Sequence, residues 1–397
     1  MTNEEYIQIH RCEDTRVLAL QQVPEGVNIK FCLQQIEGWQ VARRKLPSWA
    51  ARDELLYPSR LAMEQCSSEA TALYKREIVE RLLPDADSRR KMADLTGGLG
   101  VDFSFLAPCF ASALYVEQQE QLCAAAQHNF PLLGLFQAQI VHATIDADSP
   151  FLKQHFSFVF LDPARRDEMG KKTVFIADCS PNIQQLHDAL LCAAPVVMVK
   201  LSPMLDIAAA MRDLPCVSEV HVVSVGSECK ELLLILSHSE NCRVYCVNLD
   251  SEDPVFSINL EGVRNLKKPH FIDTLPSDAF LYEPNASILK AGVQDALCFR
   301  FPLEGKLHPH SHLYVSRHRV ADFPGRVFRI MGWSRFDKQG LKSLLHDVRQ
   351  ANLTLRNFPS TSDALRRRLR LHDGGNVYLF ATTLSDGSHV LIRCAKD

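Results

Sequence analysis

The stretch Asp94-Leu95-Thr96-Gly97-Gly98-Leu99-Gly100-Val101-Asp102, "DLTGGLGVD", sets three glycines within four positions directly after the short apolar entry "KMA". Such spacing raises the question of what comes so close to the backbone that side chains are excluded. Around it the chain runs in short apolar pieces: "MADLT", "SALYVE", "QIVHATI", "FSFVFLDP", "PVVMVKLSP", "SEVHVVSV" and "ELLLILS". The segments "FSFLAPCF", "QEQLCAAAQHNFPLLG" and "SPNIQQLHDALLCA", with one short link, connect the first five. Apolar runs without alternation, separated by helix-length connections, mark a parallel sheet covered on both faces. The last two runs are a short turn apart around "GSECK", which predicts an antiparallel hairpin closing one edge of that sheet. The expected fold class is α/β.

On this reading the glycines lie at the carboxyl end of the first strand, just before a helix. Open α/β sheets bind ligands at that edge, and glycine lets a ligand reach the backbone and the helix N-terminus. A tight strand-to-helix turn also favours glycine, so the stretch alone leaves both readings open. Glu117, 23 residues after Asp94, ends the next strand in "LYVEQ", where an acid commonly accepts hydrogen bonds from ribose hydroxyls. The fourth strand ends "FVFLDPARRD", in Asp162-Pro163. A nicotinamide enzyme accounts for the glycines and Glu117 but not for an acid on strand four. A nucleoside cofactor with a reaction centre beside that strand accounts for all three.

The combination resembles the class I S-adenosylmethionine-dependent methyltransferases over about Ser67 to Ser237. "DLTGGLG" resembles their glycine motif, Glu117 their ribose-binding acid, Asp146 or its neighbours their adenine-side loop, and "DPAR" their strand-four motif. The resemblance implies a Rossmann-like, seven-stranded sheet and S-adenosyl-L-methionine as cofactor. It carries cofactor binding onto Asp94, Thr96, Gly97, Gly98, Gly100, Glu117, Gln118, Asp146, Asp162 and Pro163, with Thr96 standing where the motif more often has a small, glycine-like residue. "EQCSSEATALYK" resembles the segment that precedes the glycine motif in nucleic-acid methyltransferases and covers the methionine end of the cofactor, which adds Gln65, Ser67 and Ser68. The same residues also read as an ordinary helix cap.

A sulfonium methyl is already activated, so the protein mainly has to hold the nucleophile in line and manage its proton. Asp162 is the residue expected to do so, its alternative being a turn cap. Arg165 and Lys200 join it as catalytic candidates. Lys200, in "VMVKLSP", either places a phosphate or carbonyl oxygen or is a strand-end lysine reaching for solvent. Amino-nitrogen methyltransferases follow the acid with two prolines and an aromatic; here Ala164 and Arg165 follow Pro163, which speaks against exocyclic-amine chemistry. The acid-Pro-Pro-Arg form of uracil carbon-5 methyltransferases is nearer, but it needs a cysteine at the end of the next strand, and "VKLSP" has none.

A chain of 397 residues with 46% apolar and 23% charged residues reads as a soluble globular protein of two or three domains. The acidic start "MTNEEYIQIHRCED" lacks the pattern of a signal peptide, and no window approaches a membrane span. The expected location is the cytoplasm. Thirteen scattered cysteines read as reduced, mostly buried thiols, and "HPHSH" (His308, His310, His312) as a metal site if extended or an exposed loop around Pro309. No metal is expected. Residues 1–90 read as helical, with "SSEATALYKREIVERLL" the clearest helix and Ala70, Leu73, Ile78 and Leu82 its apolar spacing. The expected domains are 1–90, 91–240, 241–322 and 323–397.

The net charge of −3 is unevenly spread: Tyr314 to Asp397 carries +8 and the remainder −11. The C-terminal end reads strand, helix, strand, helix, strand, strand, as a separate α+β unit, and Arg366, Arg367, Arg368 and Arg370 cluster in "ALRRRLRLHD". These are either a solvated helix face or a phosphate-binding cluster. The end resembles the THUMP-like domains of some bacterial methyltransferases, and "FLYEP…HLYVSR" the small ferredoxin-like unit that precedes them. THUMP domains bind structured RNA, so the resemblance implies an RNA partner, tRNA or rRNA. The alternatives are a methyltransferase of a small molecule or protein, and a non-catalytic RNA-binding protein on the same scaffold.

Overall fold

A computed structural model describes residues 1–165, 176–239, 241–252, 255–264, 269–276 and 278–396, apart from the side chains of Arg165, Val263 and Arg264. The chain divides into two compact units, Met1–Val220 with Leu232–Glu240, and His221–Glu231 with Asn241–Asp397. The N-terminal helices thus belong to the same unit as the first sheet.

In the first unit the helices are α1 (Asn3–His10), α2 (Ile29–Lys45), α3 (Arg60–Gln65), α4 (Glu69–Leu82), α5 (Val101–Leu106), α6 (Glu120–Leu132) and α7 (Ile183–Ala193), with shorter turns between them. The strands are β1 (Lys91–Asp94), β2 (Ser112–Glu117), β3 (Ala138–His142), β4 (Phe158–Leu161) and β5 (Val197–Leu201), followed by the hairpin β6 (Val217–Val225) and β7 (Glu228–Leu236). Their order is β6-β7-β5-β4-β1-β2-β3, seven strands of a sheet that has nine where seven were expected. β1 to β5 pair in parallel and β7 runs antiparallel against β5. The chain reverses direction beside β1, which opens a crevice at the carboxyl ends of β1 and β4. β4 is buried at every position, as a strand covered on both faces must be. Phe103, Tyr115 and Phe130 form an aromatic cluster with centroids 5.0–5.4 Å apart.

Helix α4 corrects the apolar spacing read from its sequence. Ser68 caps it through the Thr71 amide, but its buried face is Thr71, Ala72, Tyr74, Lys75, Ile78 and Val79. Leu73 is exposed. Of the four predicted inward positions, Ile78 is buried. The face is rotated because it points a lysine inward, and a reading that sorts residues by hydropathy rejects that.

The second unit corrects the expected edge. There the His221–Val225 half of the hairpin is followed in the sheet by strands Arg243–Asn248 and Val255–Asn259, so the hairpin does not close it. A second sheet orders Gly305–Lys306, Tyr314–Ser316, Phe280–Pro284, Gly325–Arg335, His389–Lys396, Val377–Thr383 and Asn352–Arg356. Phe280–Pro284 pairs antiparallel with Gly325–Arg329. The C-terminal α+β segment therefore shares its sheet with the ferredoxin-like piece and is not separate from it. Buried Glu283 joins them further, accepting from Arg326 and, at 2.7 and 2.9 Å, from Arg356.

All thirteen thiols are free; five are buried and two, Cys12 and Cys192, exposed. His308 accepts from the His310 amide and Asn357 in a turn, so "HPHSH" is a polar loop. Among the described residues no group of three His, Cys, Asp or Glu is placed to hold a metal, and no helix is long and apolar enough to cross a membrane.

Candidate active site and cofactor cleft

The glycine loop is built by hydrogen bonds to its own backbone. Glu117, at the end of β2, accepts the Gly98 amide through Oε2 and the Gln119 amide through Oε1, both at 2.8 Å. The Tyr115 hydroxyl donates to the Gly98 carbonyl at 2.5 Å, and the Gly97 amide donates to Val116 at 2.8 Å.

The three glycines are required for different reasons. A Cβ on Gly97 would lie 2.1 Å from the Tyr115 ring, so there the excluding neighbour is the protein itself. Gly100 meets Phe130 and is the left-handed residue that caps α5. Gly98 has φ +57°, and a Cβ on it would have the Thr96 carbonyl, at 3.7 Å, as its nearest neighbour. The space above Gly98 is a cleft walled by Leu95, Thr96, Glu117, Gln118, Thr144, Ile145, Asp162 and Ala164, among others. Of the three, Gly98 is thus the glycine whose left-handed backbone calls for it and whose open side lies on the cleft wall.

Asp94 lies beneath this loop and off the cleft wall. It is 1% exposed and accepts the Thr96 amide at 3.0 Å. Burial pushes its carboxyl well above the usual carboxylate range, and the nearby charges of Asp102, Asp162 and Glu117 push the same way, although the Thr96 amide opposes them. Oδ1 of the exposed Asp146 accepts from the Asp148 amide and the Ser149 hydroxyl within its own turn, both at 3.0 Å. Its neighbours Ala143, Thr144 and Ile145 line the cleft instead.

Thr96, the departure from the usual motif, joins the two halves of the site: its hydroxyl oxygen accepts the Asp162 amide at 2.6 Å. Asp162 sits on the cleft with its side chain 42% exposed, and Lys200 from β5 donates to its Oδ2 at 2.5 Å. Lys200 also lies 3.5 Å from Asp102, so it faces inward along an ion chain and neither reaches for solvent nor stands free. Pro163 is buried behind Asp162. The Arg165 side chain lies outside the described residues.

Asp102 and Lys75 are the residues that sequence reasoning missed. Lys75, 0% exposed, pairs with Asp102 at 3.1 Å. Ser67 donates to Asp102 at 2.7 Å and takes Lys75 at 3.3 Å. Burial alone would raise the Asp102 carboxyl, but Lys75 and Lys200, with the Ser67 hydroxyl, outweigh it and hold it down at about 2. Ser67 therefore reaches the site through this chain, Ser68 caps α4, and Gln65 is exposed at the end of α3.

With this geometry in view, comparison with known proteins is decisive. A protein of Porphyromonas gingivalis W83, whose crystal structure is described as that of a candidate methyltransferase, is 33% identical and superposes with a TM-score of 0.85 over 99% of this chain and 97% of its own. The THUMP domain-like family matches residues 325–396 and a ferredoxin-like domain family residues 280–324. The chain belongs to the class I S-adenosylmethionine-dependent methyltransferases with a C-terminal THUMP-like domain. An uncharacterised S-adenosylmethionine-dependent methyltransferase of Mycobacterium tuberculosis, from strains H37Rv and CDC 1551, is 25% identical over 332 residues, 82% of this chain and 84% of its own length. The methyltransferase uses S-adenosyl-L-methionine, and the open backbone at Gly98 beside Glu117 and Gln118 fits such a ligand.

In the THUMP-like domain of this methyltransferase the four arginines have divided roles. Arg366 pairs with Asp363 at 3.5 Å and Asp373 at 2.6 Å. Arg368 lies over the Phe336 ring at 4.8 Å, and Arg370 closes helix Ser362–Leu369 in a left-handed conformation. Arg366, Arg367 and Arg370 share a shallow cleft with Asp363 and His372.

Proposed function

We propose that this methyltransferase modifies a base in structured RNA, tRNA or rRNA. The observation that carries the reading is the THUMP domain-like match at residues 325–396, because THUMP domains bind structured RNA, and the +8 charge of the C-terminal end supports it. S-adenosyl-L-methionine supplies a methyl group already activated on sulfur. The chain's residues hold the acceptor in line and take its proton. Lys200 occupies Oδ2 of Asp162, and Oδ1, without a partner among the described residues, accepts a hydrogen bond from the acceptor N–H or O–H. Asp162 would take that proton when the acceptor is methylated. Gln118 and Gly98 shape the cofactor side, and Arg165 remains a catalytic candidate from its place in the sequence after Asp162.

Mass spectrometry of nucleosides from total RNA of a deletion strain tests the reading. One methylated nucleoside should vanish, return with the wild-type gene and fail to return with Asp162→Ala. An unchanged nucleoside profile, with methyl transfer found on a protein or small molecule, would overturn it.

A further inference from the structure

The N-terminal helices of the first unit hold a second charged feature. A cleft there is walled by Arg11, Arg16, Arg43, Arg44, Arg60 and Trp39, with two acids, Glu13 and Asp14. Both acids are engaged: Glu13 takes His10 at 2.8 Å, and Asp14 caps the short helix Thr15–Leu18 through the Arg16 amide at 2.9 Å. Arg11 pairs with Asp53 at 3.5 Å and Arg60 with Glu64 at 2.8 Å. Arg16, Arg43 and Arg44 are exposed and have no carboxylate partner among the described residues. Three exposed guanidiniums without carboxylate partners on one cleft wall attract an anion.

Trp39 organises the group. The guanidinium of Arg11 lies 4.8 Å over its ring and that of Arg43 5.8 Å, while its own Nε1 is fixed by the Ala50 carbonyl at 3.1 Å. A guanidinium held on an indole face keeps its N–H edges for phosphate and gives up side-chain freedom before the ligand arrives. The cleft wall is connected to Asp162 through the chain. Helix α3 begins at Arg60 on the cleft wall and ends at Gln65, roughly 8 Å along its axis. Two residues later, Ser67 donates to Asp102, which reaches Asp162 through Lys200. Lys45, at the end of the arginine-bearing helix α2, donates to the Met63 and Glu64 carbonyls at 3.1 and 2.6 Å and so ties the two helices together.

We infer that this arginine cleft grips the phosphate backbone of the RNA substrate within the first unit, beside the catalytic acid, an inference that rests on the RNA reading above. Filter binding of the full chain to labelled bacterial tRNA tests it. Arg43→Glu with Arg44→Glu should weaken binding at least tenfold at low salt and lower the salt slope by about two units, one per phosphate lost. Trp39→Leu should weaken binding several-fold by releasing Arg11 and Arg43. Titration calorimetry should show S-adenosylhomocysteine binding unchanged in both variants, which confirms that the first unit is folded. Arg16→Glu, on a different helix, repeats the test should either variant lose that binding. Wild-type binding retained within twofold by these variants overturns the inference and leaves the RNA reading standing. A wild-type chain that retains neither tRNA nor rRNA fragments at any salt overturns both. Displacement of tRNA by polyglutamate at equal charge would assign the cleft to an acidic protein and also overturn it.

Discussion

Thr96 and Asp162 are 66 residues apart in the chain and joined by one hydrogen bond, yet the two walls of the cleft they connect are held by different forces. The glycine wall is a local structure in which Glu117 and Tyr115 satisfy the backbone of one short loop. The Asp162 wall is a chain of charges, Lys75–Asp102–Lys200–Asp162, drawn from four separate segments, three of them buried or nearly so. Altering the first should change what fits above the loop. Altering the second leaves a buried charge uncompensated. Cofactor binding and the chemical step should therefore separate under mutation.

The sharpest separation is at Gly98. Gly98→Val places a side chain in the cleft and should abolish detectable S-adenosylhomocysteine binding in calorimetry. Its left-handed φ of +57° adds a stability cost of about 1–2 kcal/mol, small enough to leave the chain folded by circular dichroism. Lys75→Met should do the reverse, since removing one partner of a buried ion pair costs about 3–5 kcal/mol. Urea unfolding would show the loss. A change under about 1 kcal/mol would mean that Lys200 alone compensates Asp102.

Asp162→Ala should lower turnover by roughly a hundredfold or more while S-adenosylhomocysteine affinity stays within a few-fold, because the backbone amide that bonds Thr96 is kept. Equal loss of both would move Asp162 to the cofactor wall, and unchanged turnover would make it a turn cap.

A smaller effect distinguishes the two buried acids by pH. Asp102 has its folded pKa, about 2, below the unfolded value, so its stabilisation is present above about pH 4 and is lost as pH falls toward 2. Asp94 is shifted upward, so its ionised form costs stability at neutral pH, and that cost shrinks as pH falls through its raised folded pKa. Asp94→Asn, which keeps a carbonyl for the Thr96 amide, should stabilise the protein at neutral pH by an amount that shrinks toward pH 4. Urea midpoints across pH would reveal a pH-independent difference if this is wrong. The smallest effect is expected at the THUMP-like domain, where Arg367→Ala should lower the salt slope of tRNA binding by about one unit.

The succession of strands and helices, and the place of the glycine loop and Glu117 at strand ends, were legible in the sequence because each is written in consecutive residues whose spacing follows a strand or a turn. Lys75 was not, because apolar periodicity sorts lysine outward, and its inward position depends on Asp102 arriving from α5. Asp102 stood inside the opening stretch, yet an acid in the first turn of a helix already has an ordinary explanation at the helix N-terminus. At Asp146 or its neighbours the motif named a loop and not one residue: Oδ1 of Asp146 bonds within its own turn, and Ala143, Thr144 and Ile145 line the cleft. The arginine cleft was illegible for a third reason, since Arg11, Arg43 and Arg60 converge only when three helices pack.

The antiparallel ladder between Phe280–Pro284 and Gly325–Arg329 has a consequence for heredity. The two C-terminal family matches meet at Pro324 and Gly325, which looks like a seam where one domain could be exchanged for another. A Cβ on Gly325 would stand 2.1 Å from the Glu283 carbonyl oxygen, so the residue at the seam is pressed against the preceding domain's strand. A gene fusion broken there would leave Phe280–Pro284 as a bare edge, open to pairing with other chains, and Glu283 buried without its arginines. The two pieces are separate names for one inheritable cassette, and a graft into another methyltransferase must begin before Phe280 to carry it whole.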